Sequence, residues 1–140
     1  MKPILLGCLL AGCLCLVSGC GGADSAPGKG AEAKPFKNIG PDEFEKLRAD
    51  KNAVVLDVRT PSEFAAGHIA GATNLDWHAA DFEAKVSQLD KSKTYLVHCA
   101  TGRRSALACD KLGSRLGFTH CYNLEGGFNA WQKAGKPVAK

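Results

Sequence analysis

The sequence predicts an α/β domain built on a mostly parallel sheet with helices on both faces. Three observations carry that expectation. Valine-rich or otherwise apolar runs recur at residues 53–58 (AVVLDV), 94–99 (TYLVHC) and 119–124 (THCYNL). The first two are continuous rather than alternating, as in strands covered on both faces. Segments of helical pattern separate them, and strands alternating with helices pack as a parallel sheet. Finally, the stretch from Phe36 to about Val138 is long enough for one core of ordinary size.

Composition narrows the function. The chain has 140 residues, 45% hydrophobic and 23% charged, with a formal net charge of +4. This balance suits one globular domain. Lysines and arginines are scattered, with no long basic run and no interleaved aromatics. Nucleic acid is therefore not an expected partner. Seven cysteines in so short a chain suggest a disulfide framework. Their positions argue against one, because Cys8, Cys13, Cys15 and Cys20 all fall at the very start.

That start, MKPILLGCLLAGCLCLVSGC, has one lysine, an apolar run of about fifteen residues and then small residues. The run is short for a transmembrane helix and has the layout of a secretory signal peptide, assigned here to residues 1–19. Val17-Ser18-Gly19-Cys20 resembles the bacterial lipobox, with valine where leucine is commoner. The resemblance implies cleavage before Cys20 and lipid on its sulfur and new amino group. At ~0.8 kcal/mol per buried CH₂, several acyl chains anchor a protein permanently. An ordinary cleaved signal or an uncleaved anchor is the alternative. Residues 20–35 are mostly Gly, Ala, Pro, Lys and acidic residues. They have no apolar face and read as a flexible tether. Gly21 is not the aspartate that marks inner-membrane retention in lipoproteins of enteric-type bacteria. The expected location is thus the cell envelope, with the domain (36–140) in the periplasm or otherwise outside the cytoplasmic membrane, and the outer membrane favoured where one exists.

Within the domain, the helical segments are 41–50, 61–67, 81–90, 103–117 and 126–135, and 72–75 is a short fourth strand. Gly67, Gly117 and Gly135 stand where helices stop. In parallel sheets ligands sit at the carboxyl ends of the strands, and Cys99 closes one of those runs. The loop CATGRRS (99–105) follows it. With a helix starting near Arg104 or Ser105, Gly102 permits a tight turn. Backbone amides of residues 100–104 then form an anion cradle, reinforced by the helix dipole. Such a field lowers a thiol's pKa from its usual ~8.5. Arg103 and Arg104 add donors suited to a sulfur or phosphorus oxyanion. An inert buried cysteine before a solvated basic turn is the competing reading. The order Cys, Gly, Arg, Arg, Ser at a buried strand's end favours the nucleophile.

CATGRRS resembles the active-site loop of rhodanese-type sulfurtransferases, with glycine, arginine and serine three, five and six positions after the cysteine. LDVRTPSEFAAGHIAGATNL (56–75) and LEGGFNAW (124–131) resemble that family's first and closing signatures. Together the three motifs span nearly the whole domain, in single-domain order. The resemblance implies a three-layer fold around a mostly parallel five-stranded sheet, and a catalytic Cys99 that carries a persulfide. It implies a thiosulfate-like donor, a thiol or cyanide-like acceptor, and no metal or organic cofactor. Ala100, Thr101, Gly102, Arg103, Arg104 and Ser105 become the substrate-binding loop, Arg103 serving only attraction. Asp57, Arg59 and Glu63 become a salt-bridged brace, and His68 holds a turn. A related family of cell-cycle phosphatases places its arginine six residues after the cysteine. Here that position is Ser105, and the shorter loop suits sulfur better than a phosphoryl group.

Other residues take ordinary roles at this stage. Phe128 and Trp131 read as core, and His98 as a strand-end residue. Trp77-His78 borders the pocket or is a plain surface loop. Cys109 and Cys121 read as small buried hydrophobes, with a disulfide between them kept open. Function is left between a turnover enzyme and a sulfur carrier or sensor that serves a protein partner. The domain is expected to be a monomer.

Overall fold

The computed structural model describes residues 34–140. The expected signal segment, Cys20 as the expected lipid-attachment point, and nearly all of the expected tether lie outside the described residues.

Five strands form one parallel sheet: β1 (Lys37–Ile39), β2 (Ala53–Asp57), β3 (Thr73–Asn74), β4 (Thr94–His98) and β5 (Cys121–Leu124). Their order across the sheet is β1-β5-β4-β2-β3. Between them run the helices α1 (Pro41–Leu47), α2 (Pro61–Ala66), α3 (Phe82–Ser87), α4 (Arg103–Asp110) and α5 (Gly127–Lys133). The apolar runs at 53–58 and 94–99 form the central pair, with Asp57 beside His98 in the register. β1 went unrecognised in the sequence because three edge residues, two of them exposed, carry no periodic signal.

Side chains alternate across β4. Tyr95, Val97 and Cys99 enter one core with Phe82, Val86, Ala108, Cys109 and Leu112, the buried faces of α3 and α4. Leu96 enters the other with Phe44 of α1 and Phe128 and Trp131 of α5. Burial on both faces is what makes these strands continuously apolar. Phe128 and Trp131 are core residues, as read from the sequence.

The predicted helix over 103–117 is instead α4 followed by a π-helical turn at Lys111–Arg115. The amide of Leu116 reaches back five residues to the Lys111 carbonyl at 3.3 Å. Gly113 lies in that turn directly against Pro35, where a side chain would collide. The wider turn lets the leading segment pack there, a constraint invisible in local helix pattern. α4 starts at Arg103, the first residue of the predicted segment, with Gly102 as its left-handed N-cap (φ 91°).

Candidate active site

β2 and β4 are neighbours, and the chain leaves them toward opposite edges of the sheet. Their carboxyl ends therefore flank the point where strand order reverses, the usual ligand position in such sheets. Cys99 follows β4 there, with only 1% of its surface exposed. Its sulfur accepts hydrogen bonds from the Gly102 amide at 3.1 Å and the Ser105 hydroxyl at 3.4 Å. Burial pushes the thiol pKa up, as it does for any group that charges on deprotonation. The Ser105 hydroxyl and the amides of Ser105, Thr101 and Gly102 outweigh it, so the net shift is downward. Of the amides 100–104 expected to line the loop, that of Gly102 donates to the sulfur, and Ser105 adds a side-chain donor.

Gly102 is required on two counts. Its φ of 91° is left-handed, and a Cβ would stand 3.1 Å from the Leu124 carbonyl oxygen and 3.2 Å from the Gly126 nitrogen. Asn123, which no sequence signal singled out, donates through its side-chain amide to the Gly102 carbonyl at 3.3 Å and to Asn38 Oδ1 at 2.9 Å. It ties the loop to β5 and β1. Asparagine in a buried strand was itself the available clue, since such a group needs partners.

The anticipated three-residue brace divides into two units. Asp57 and Arg59 form a buried ion pair, with Nη2 to Oδ2 at 2.6 Å. Arg59 also donates to the Gly67 carbonyl at 2.8 Å and stacks over Phe128 at 4.2 Å. Glu63 is not part of this brace. It receives both guanidinium arms of Arg104, at 3.0 and 2.9 Å. It also closes a capping box with Thr60, whose amide donates to Glu63 at 3.0 Å. The spacing Thr60-Pro61-Ser62-Glu63 carries that capping signature. The Arg104 bond pulls the Glu63 carboxyl down most, burial opposes, and Thr60 helps, leaving its pKa at about 2. Arg104 is raised in turn, first by Glu63, against burial, and further by the Cys99 sulfur it faces. Its charge in the loop is thus largely compensated. Arg103 is exposed and makes no ion pair among the described residues.

His68 holds the end of α2. Its Nδ1 lies 3.1 Å from the Phe64 carbonyl, its ring stacks on Phe64, and its backbone bridges Ala139. Trp77 packs edge-on against Phe82, with the Lys111 ammonium over its ring at 5.7 Å. It belongs to the α3–α4 core rather than to the loop at Cys99. Ala100 and Thr101 lie at the loop's mouth, Thr101 exposed. Cys109 and Cys121 are buried free thiols, not a disulfide. Burial raises both, Cys109 well above its usual value and Cys121 to about 11. Among the described cysteines, Cys99 is the one whose pKa is shifted down.

One further place could be mistaken for the site. A cavity of about 550 Å³ is lined by Phe36, Gly113, Phe118, Cys121 and Tyr122. It lies at the amino end of β5, away from the loop. Among the described residues no group of His, Cys, Asp or Glu is arranged to hold a metal ion.

A cysteine sulfur held by a backbone amide and a serine hydroxyl at the carboxyl end of a parallel sheet defines an α/β domain with a cysteine-centred site. The comparisons name that class more closely. Residues 40–134 match the family described as Rhodanese-like domain. Thiosulfate sulfurtransferase GlpE of Pseudomonas entomophila (strain L48) is 43% identical over 98 residues, covering 69% of this chain and 85% of that protein. A rhodanese-related protein from Thermoplasma volcanium superposes with a TM-score of 0.62 at 32% identity, over 74% of this chain and 97% of its own. A rhodanese-like domain protein from Staphylococcus aureus superposes at 0.59, also with 32% identity, over 68% and 90% of the two chains. The chain belongs to the rhodanese-like domain family, and it is a sulfurtransferase of the rhodanese type.

Proposed function

We propose that the domain moves sulfur from thiosulfate to a small nucleophile through a persulfide on Cys99. The single observation that carries this reading is the Cys99 sulfur inside a loop that donates from Gly102 and Ser105 at 3.1 and 3.4 Å. Thiosulfate as donor is supported by the name of the Pseudomonas entomophila relative. In the first step the Cys99 thiolate attacks the outer sulfur of thiosulfate. A sulfur–sulfur bond forms to Cys99 as the donor's own sulfur–sulfur bond breaks, and the electron pair leaves with sulfite. In the second step cyanide or a thiolate attacks the outer persulfide sulfur, and Cys99 departs as the thiolate. No external oxidant or reductant enters. The loop amides stabilise negative charge on sulfur throughout, which is where fixed dipoles act most strongly.

The mature domain, given thiosulfate and cyanide, should produce thiocyanate with turnover, and Cys99→Ser should produce none. A stable persulfide without turnover would favour a carrier that delivers sulfur to a protein thiol. Failure of thiosulfate to load Cys99 would sink the donor assignment.

The same reading places the protein in a bacterial envelope as a lipid-anchored monomer. Its support is the apolar leader ending in Val17-Ser18-Gly19-Cys20. Labelled fatty acid should enter the parent protein and not Cys20→Ala. Equal labelling of the two would refute the anchor.

A further inference from the structure

The turn at Gly126 and Gly127 contributes no side chain to the site, yet it lies directly behind the Cys99 loop. Both residues are left-handed, with φ of 73° and 59°. They reverse the chain from β5 into α5, so that the first amides of α5 point at the loop. The Phe128 amide donates to the Cys99 carbonyl at 2.7 Å, and the Asn129 amide to the Ala100 carbonyl at 3.0 Å. First-turn amides have no partner inside their own helix. Here two of them find partners in the catalytic loop.

The consequence follows from peptide geometry. In a trans peptide the carbonyl and the next residue's N–H point in opposite directions. The Ala100 carbonyl shares its plane with the Thr101 N–H, and the Cys99 carbonyl shares its plane with the Ala100 N–H. Drawing both carbonyls toward α5 turns both N–H groups away from it. The Thr101 amide is one of those that favour the Cys99 thiolate. Gly127 makes the approach possible, because a Cβ there would collide with the Cys99 carbonyl oxygen and stand 2.7 Å from the Ala100 carbonyl carbon.

We infer that Gly127 is a positioning residue for the reaction. It brings the amides of Phe128 and Asn129 against the Cys99 and Ala100 carbonyls, and that clamp orients the amide cradle that activates Cys99. This rests on the assignment of Cys99 as the nucleophile, but its test does not need a sulfur donor.

The test is the pH profile of Cys99 alkylation by iodoacetamide, with Cys99→Ser as blank, alongside single-turnover loading by thiosulfate. Gly127→Ala strains and displaces the clamp. Asn129→Pro removes one donated N–H without a new left-handed strain, at a first-turn position where proline is tolerated. Gly135→Ala imposes a similar left-handed strain at φ 71° with open space around it, and serves as the control. Gly127→Ala and Asn129→Pro should raise the apparent Cys99 pKa by about one unit, a tenfold loss of thiolate below that pKa. Loading should slow about tenfold with it, while Gly135→Ala follows the parent. In the unaltered protein the Phe128 and Asn129 amides should exchange slowly with solvent. Rapid exchange of both would overturn the clamp whether or not the variants fold. So would a folded Asn129→Pro or Gly127→Ala with the parent's alkylation profile. If loading fails in the parent while the profile shifts as expected, the donor assignment is wrong and the clamp stands.

Discussion

Arg104 sits between two roles, and removing it should expose both. Its guanidinium spans the Glu63 carboxylate at 3.0 and 2.9 Å while facing the Cys99 sulfur. Losing a charge-assisted contact to the donor anion costs ~1.5–3 kcal/mol in the loading step. Arg104→Ala also strands the Glu63 carboxylate, which keeps its bonds from the Thr60 amide and hydroxyl. Two like unit charges near one another at a solvated loop repel by on the order of 1 kcal/mol. The sum, about 2.5–4 kcal/mol, is a roughly hundred- to thousandfold slowing at 1.36 kcal/mol per decade. Glu63→Gln keeps an acceptor for the Thr60 amide but removes the charge. The double variant Arg104→Ala/Glu63→Gln should therefore load about fivefold faster than Arg104→Ala alone. The assay is single-turnover formation of the Cys99 persulfide from thiosulfate, followed by intact mass. A double variant no faster than Arg104→Ala would show that the stranded carboxylate is not felt at the sulfur. A loss under tenfold in Arg104→Ala would remove the guanidinium from the anion site altogether.

Arg103 is exposed at the loop's edge, so Arg103→Ala should slow loading mildly, and the defect should fade as salt rises; a defect as deep as that of Arg104→Ala at high salt would reverse the two roles. His98 is fully buried between Phe44 and Phe128 with both ring nitrogens unpaired, and Asp57 Oδ2 is 3.6 Å away. Burial lowers its pKa from 6.5 to about 4, against the pull of Asp57. The unfolded chain therefore takes up a proton below pH 6.5 that the folded chain refuses until about pH 4, so stability falls as pH drops through that window. The loss is about 2 kcal/mol between pH 7 and 5. His98→Phe should lack this slope in urea unfolding, and an equal loss in parent and variant would refute it.

Much of this protein was legible as residue order. The central strands show as continuous apolar runs because both their faces are covered, and burial on two faces leaves a one-dimensional trace. Cys99, Gly102 and Ser105 are close in sequence, so a single loop brings them together and their spacing is the site. Other features depend on distance across the fold. Glu63 meets Arg104 across 41 positions, and only the approach of α2 to the loop chose that partner over Arg59. Asn123 and the Gly126–Gly127 turn reach the site from the last strand, and what they supply is backbone geometry and amide hydrogen. The buried asparagine and the paired glycines show in the sequence, but which atoms they meet does not. The contact of Gly113 in the wide turn with Pro35 likewise joins residues far apart in sequence. Short-range chemistry is written in neighbouring letters, whereas the pairing of charges and the aiming of peptide planes arise when the sheet brings distant segments together.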